Sequence, residues 1–175
     1  MTAIAASIDR TVIRSASIRA GRGFTLVEML VVVVIMSVLA TIGMPLAELS
    51  QHHAKEEELR RSLREIRTAL DAYRRLAEEG RIERQAGSSG YPPKLDVLVD
   101  GVTDAKSPGG AKIYLLRALP RDPFSDAGAD APASATWALR SYASPANDPK
   151  PGDDVFDVHS KSPKTGLDGT TYATW

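Results

Sequence analysis

Glu28 is the residue whose position most demands a chemical explanation. It stands in Gly23-Phe24-Thr25-Leu26-Val27-Glu28 and is followed at once by Met29-Leu30-Val31-Val32-Val33-Val34-Ile35-Met36-Ser37-Val38-Leu39-Ala40. A carboxylate in such a run costs about 2.5–3.5 kcal/mol at the centre of a bilayer on insertion scales, and less near the headgroups. A charge kept at that cost has a task, and the task needs a positive partner. Other candidates for chemistry are few. The chain has no Cys, which excludes disulfides, thiolate metal sites and Cys nucleophiles. His52 and His53 are adjacent, so on a helix they point about 100° apart and do not chelate as a pair; they read as solvated helix residues. His159 is the third and last histidine. Neither a Gly-x-x-x-x-Gly-Lys-Ser/Thr phosphate loop nor a Gly-x-Ser-x-Gly elbow occurs. Ser and His are present, but presence alone makes no triad. The chain carries no motif of an enzyme.

The elements that position Glu28 follow from charge and periodicity. Lys+Arg and Asp+Glu are both 22. That balance hides an asymmetry: Met1–Gly23 holds Arg10, Arg14, Arg19 and Arg22 against Asp9, a net of +3, which leaves −3 on the remainder. Positive charge ahead of an apolar run keeps the leading segment cytoplasmic and sends the C-terminal part outward. A mildly acidic remainder gives no electrostatic case for nucleic acid. Residues 24–47 are apolar or small apart from Glu28 and long enough to span a bilayer. The segment before Gly23 lacks the sustained apolar core of a cleaved secretory signal, so the apolar run reads as a retained anchor.

Beyond it, Leu59, Leu63, Ile66, Leu70, Tyr73 and Ala77 recur at spacings of four and three, one apolar stripe at helical period. The stripe packs the helix against the chain's own C-terminal part. The charged positions around it (Glu56, Glu57, Glu58, Arg60, Arg61, Arg64, Glu65, Arg67, Asp71, Arg74 and Arg75) read as a solvated face, with Glu57–Arg61 and Asp71–Arg75 placed for i,i+4 pairing. A helix over residues 24–79 is roughly 80 Å long at 1.5 Å per residue, with a bend expected near Pro45. Ten of the 11 prolines follow Gly80, which marks the start of a different region. There a short helix is expected at Lys94–Val99 and strands at Lys112–Ala118, Thr136–Tyr142 and Val155–Ser160. The expected architecture is α+β: a long N-terminal helix, transmembrane in its first half, with a small antiparallel sheet laid across its second. Tyr172 and Trp175 are expected to close the apolar core over the sheet edge.

Gly23-Phe24-Thr25-Leu26-Val27-Glu28, the apolar run and Pro45 together resemble the N-terminal signature of type IV pilins and type II secretion pseudopilins. Tyr91-Pro92-Pro93, Leu119-Pro120-Arg121-Asp122-Pro123-Phe124, Asp157-Val158-His159-Ser160 and Gly166-Leu167-Asp168-Gly169 look like the head of the G-type major pseudopilins, although Phe124-Ser125 replaces the usual Trp-Gly. The resemblance implies cleavage between Gly23 and Phe24 by a prepilin peptidase, N-methylation of Phe24, and assembly through Phe24, Glu28 and Pro45. It divides the chain into a leader (1–23), a transmembrane and filament-core helix (24–47), an amphipathic helix (48–79) and an extracytoplasmic head (80–175). It implies a single-pass protein of the bacterial inner membrane, pilin-like in fold, with a periplasmic head. The implied partners are further copies of itself, minor pseudopilins, the peptidase, and an inner-membrane platform with its cytoplasmic ATPase.

The same resemblance implies a calcium ion in the C-terminal loop, with Ser160 and Asp168 as ligands and Asp153, Asp154 and Asp157 as nearby oxygen donors. The residues themselves admit a second reading, in which Asp168-Gly169 is a turn closed by an Asx-type bond. Lys161 and Lys164 lie within the loop and repel a cation, which favours the turn. Two functional rivals stand beside the pseudopilin: a type IV pilin serving adhesion, motility or DNA uptake, and a monomeric signal-anchored binding module.

Overall fold

In a computed structural model, the structure describes residues 23–84 and 87–175, with the side chains of 42–47 left aside. The leader before Gly23 and the side chain of Pro45, with the bend expected there, lie outside what is described. The first helix, α1, runs Leu26–Glu78. The chain divides into two compact units, Met1–Met44 and Pro45–Trp175.

In the first unit the helix begins where Thr25 can cap it. Thr25 Oγ1 accepts the Glu28 N–H at 3.2 Å, which satisfies one of the donors left orphaned at a helix start. Thr25-Leu26-Val27-Glu28 is thus a capping-box sequence, and Glu28 stands where the helix dipole favours a negative charge. Further along, Ser37 donates to the Val33 carbonyl at 2.7 Å and Thr41 to that of Ser37 at 2.9 Å. These two hydroxyls are therefore satisfied within the helix. Among the described residues no helix is long and apolar enough to cross a membrane; the apolar run expected to do so extends over 42–47.

In the second unit α1 ends in a Schellman motif. Gly80 takes φ +68°, its N–H donates to the Ala77 carbonyl and that of Arg81 to Leu76. The full stripe Leu59, Leu63, Ile66, Leu70, Tyr73 and Ala77 is buried. It packs in one core with Leu95, Leu98, Leu116, Phe124, Trp137, Val155, Val158 and Tyr172. Over this core lie a single turn of helix, α2 (Val97–Asp100), and two small antiparallel sheets. One pairs β1 (Val102–Thr103) with β2 (Lys112–Ile113); the other pairs β3 (Trp137–Arg140) with β4 (Asp157–Ser160) in the register Trp137↔Ser160. The α+β class is as expected, with two two-stranded sheets among the described residues in place of one.

The strands are shorter than the sequence suggests, for identifiable reasons. Leu115 and Leu116 both donate their N–H to the Leu98 carbonyl, so the chain after Ile113 bonds to α2 and not to a strand. Thr136 closes a 3-10 turn, its hydroxyl on the Ala133 carbonyl. The Tyr142 N–H donates to the Asp154 carboxylate, and the Val155 N–H to the Pro92 carbonyl. The motif at 119–124 is the link between the sheet and the core. The Trp137 indole donates to the Pro120 carbonyl at 2.9 Å. Asp122, buried, accepts the Phe124 N–H at 2.8 Å and the Ser160 hydroxyl at 2.7 Å. Phe124 then stacks on Tyr172 with ring centroids 4.1 Å apart.

Candidate functional site

Gly23, Phe24 and Thr25 precede the helix in extended or irregular backbone, and Gly23 has open space where a Cβ would stand. The Gly23–Phe24 peptide bond is therefore outside the helix's own hydrogen-bonded ladder. Phe24 is 74% exposed. Behind it Leu26, Val27, Leu30, Val33, Ile35 and Leu39 are all exposed, as are the other large apolar residues from Met29 to Val38. Consecutive helical positions point to all sides, so among the described residues the exposed apolar surface runs around this segment of the helix. Glu28 is exposed among them and is the only ionisable side chain between Phe24 and Thr41.

A second constellation lies on α1 within the other unit. Glu56, Arg60 and Arg67 stand at spacings of four and seven, which places them along one side of the helix. Glu56 is buried, and its Oε1 accepts the Leu167 N–H and the Tyr172 hydroxyl, both at 2.8 Å. Burial and then this carboxylate push the Tyr172 hydroxyl up to a pKa of about 12. Arg60 pairs with Asp168 at 2.9 Å and lies 3.9 Å over the Trp175 ring. Arg67 donates to Asp157 Oδ1 at 2.7 Å, to the Val158 carbonyl at 3.1 Å and to Trp175 O at 2.7 Å. Three residues read as a solvated face are thus the attachment points of the C-terminal segment. Their partners lie 90 to 116 positions away, and no local periodicity announces such pairs. The i,i+4 ion pair that forms is Arg74–Glu78; neither Glu57–Arg61 nor Asp71–Arg75 is among the pairs of the described residues.

Comparison with known proteins bears on the first constellation. Residues 18–44 match the family model for the prokaryotic N-terminal methylation motif, a range that contains Gly23, Phe24 and Glu28 and stops one residue before Pro45. Over 107 residues the chain is 30% identical to the type II secretion system core protein G of Klebsiella michiganensis, covering 59% of this chain and 68% of that relative. The chain belongs to the type II secretion core protein G family. No solved structure matches it.

Members of this family are structural, pilin-like subunits. One cleft of the head, of about 860 Å³, is lined by Tyr73, Tyr91, Ser141, Tyr142, Asp153 and Asp154 among others. His52 and His53 are exposed on α1. His159 lies in β4 opposite Ala138; burial pushes its pKa down, against an upward pull from Asp157, with Arg67 and Arg140 adding to the fall.

Ser160 and Asp168, the residues expected to hold calcium, are each engaged by donors of the chain itself. Ser160 is fully buried, donates its hydroxyl to Asp122 and accepts the Ser162 N–H at 3.0 Å. Asp168 Oδ1 accepts the Thr170 hydroxyl at 2.6 Å and the Thr170 N–H at 2.9 Å, while Oδ2 takes Arg60. These contacts, led by the Thr170 hydroxyl, hold the Asp168 carboxyl below the usual carboxylate range. Asp157 is held by Arg67 and by Arg140 at 3.8 Å, and Asp154 by the Tyr142 N–H. Among the described residues no three His, Cys, Asp or Glu side chains converge as metal ligands.

Proposed function

We propose that this chain is a pseudopilin subunit whose work is assembly: a periplasmic pseudopilus that drives protein export by type II secretion. The observation that carries the reading is Glu28, a lone carboxylate in an exposed apolar helix, four residues after Phe24. Cleavage of that bond frees an ammonium on Phe24. In a bundle of parallel, staggered helices the ammonium of one subunit meets Glu28 of another.

The magnitudes say why that pair matters. Burying a Leu or Val from water is worth about 1.5–3 kcal/mol, but lipid tails are as apolar as Leu, so moving these side chains from bilayer to filament yields little of that. Packing contacts and the charge pair are what distinguish the two environments. In lipid Glu28 bears the cost of an unpaired carboxylate; in the filament it is neutralised. The helix start capped by Thr25 fixes where Glu28 stands relative to the new amine.

The accompanying arrangement is a leader over 1–23 on the cytoplasmic side, a span and filament core over 24–47 that includes Pro45, an amphipathic helix over 48–79, and a periplasmic head over 80–175. Partners are further copies, minor pseudopilins, a prepilin peptidase, and an inner-membrane platform with its ATPase. The reading requires no catalysis by this chain. Glu28→Ala tests it in cells carrying the secretion machinery. Sheared filaments are expected to disappear while the head of the variant melts as in the parent. Undiminished filaments from Glu28→Ala overturn the proposed pairing, whereas a parent chain that forms no filaments beside the machinery leaves a monomeric anchored module.

A further inference from the structure

We propose that Arg60 is the built-in cation of the C-terminal loop, and that the head of this protein folds without a divalent ion. The oxygens of Ser160, Asp157 and Asp168 that a hard cation would collect are already held by donors of the chain. Asp168 carries the Arg60 guanidinium on one oxygen and Thr170 on the other. Ser160 is spent on Asp122, and Asp157 on Arg67. A calcium site needs six to eight oxygens around one point, and bringing Asp168 into one means displacing a guanidinium already in place.

Arg60 does more than neutralise Asp168. Its guanidinium carbon lies 3.9 Å from the centre of the Trp175 ring, a cation–π contact, and the Trp175 indole N–H in turn donates to the Thr170 hydroxyl at 2.5 Å. Asp168, Thr170, Trp175 and Arg60 therefore close a ring of contacts around the turn. Gly166 completes it: a Cβ there would stand 2.8 Å from the Trp175 ring. Glu56 and Arg67 grip the same segment on either side of Arg60, at Leu167 and Tyr172 and at Trp175 O. A planar, permanently charged side chain with several donors can tie a carboxylate and an aromatic face at once, which a spherical ion cannot. The clasp lies entirely within Pro45–Trp175, so its test does not depend on filament assembly.

The test is amide hydrogen exchange of the full chain in detergent, read by mass spectrometry on the peptide 165–175, in EDTA and in excess calcium. The wild-type peptide is expected to exchange at the same rate in both. Arg60→Gln is expected to exchange roughly tenfold faster, from loss of the ion pair and the ring contact together. Arg60→Lys recovers part of the protection, because it keeps the charge and loses the planar fork. Slower exchange of the wild-type peptide in calcium, or unchanged exchange in Arg60→Gln, overturns the proposal. If Arg60→Gln yields no folded protein, the wild-type comparison in EDTA and calcium decides alone.

Discussion

The Glu56 carboxylate and the Tyr172 hydroxyl, 116 positions apart, meet in a buried hydrogen bond of 2.8 Å that joins α1 to the last turn of the chain. The bond is charge-assisted and shielded from water. Tyr172→Phe removes it while keeping the ring that stacks on Phe124. The expected loss is about 1.5–3 kcal/mol, measured by urea unfolding. Glu56→Gln, whose amide oxygen still accepts, is expected to lose less.

The same pair makes a prediction at high pH. The Tyr172 pKa is raised to about 12 in the folded protein. Between the ordinary tyrosine value of about 10 and that figure, the unfolded chain holds fewer protons than the folded one. Stability therefore falls as pH rises through this window, and the fall is expected to be shallower in Tyr172→Phe.

His159 gives the opposite slope at low pH. Its folded pKa lies below the ordinary histidine value, chiefly through burial. Below about pH 6.5 the unfolded chain binds a proton that the folded chain resists, so stability falls as pH drops from there to the folded pKa. Melting temperatures across that range are expected to decline in the wild type and to flatten in His159→Gln.

Gly101 joins α2 to β1 at φ 79° and ψ 146°, a combination that side chains other than glycine rarely adopt. A Cβ there would also stand 2.8 Å from the Tyr114 ring, which is exposed enough to swing away. The backbone remains strained after it does. Gly101→Ala is expected to destabilise the head by about 1–3 kcal/mol in the same unfolding assay.

The helix was legible because its signal is local and repeated. Leu59 through Ala77 recur at 3.6-residue period, and Gly80 ends the pattern with the one residue type suited to a left-handed cap. The cap that Thr25 and Glu28 form, three residues apart, entered only with the structure. The head was less legible. A stretch such as Tyr114-Leu115-Leu116 has strand composition, yet two of its amides are drawn to Leu98, a contact that only tertiary folding provides. Asp122 and Ser160 were visible as members of motifs but not as partners. Glu56, Arg60 and Arg67 were hidden for the same reason: a charged residue on a helix looks solvated until a segment from the far end of the chain covers it.

The measurement that goes most directly to the central claim is the mass of the mature N-terminus, taken on chain isolated from membranes of cells carrying a prepilin peptidase. A chain beginning at Phe24 and carrying one methyl group on its amine is expected, since that amine is the proposed partner of Glu28. An intact start at Met1, or a start beyond the apolar run, contradicts the account.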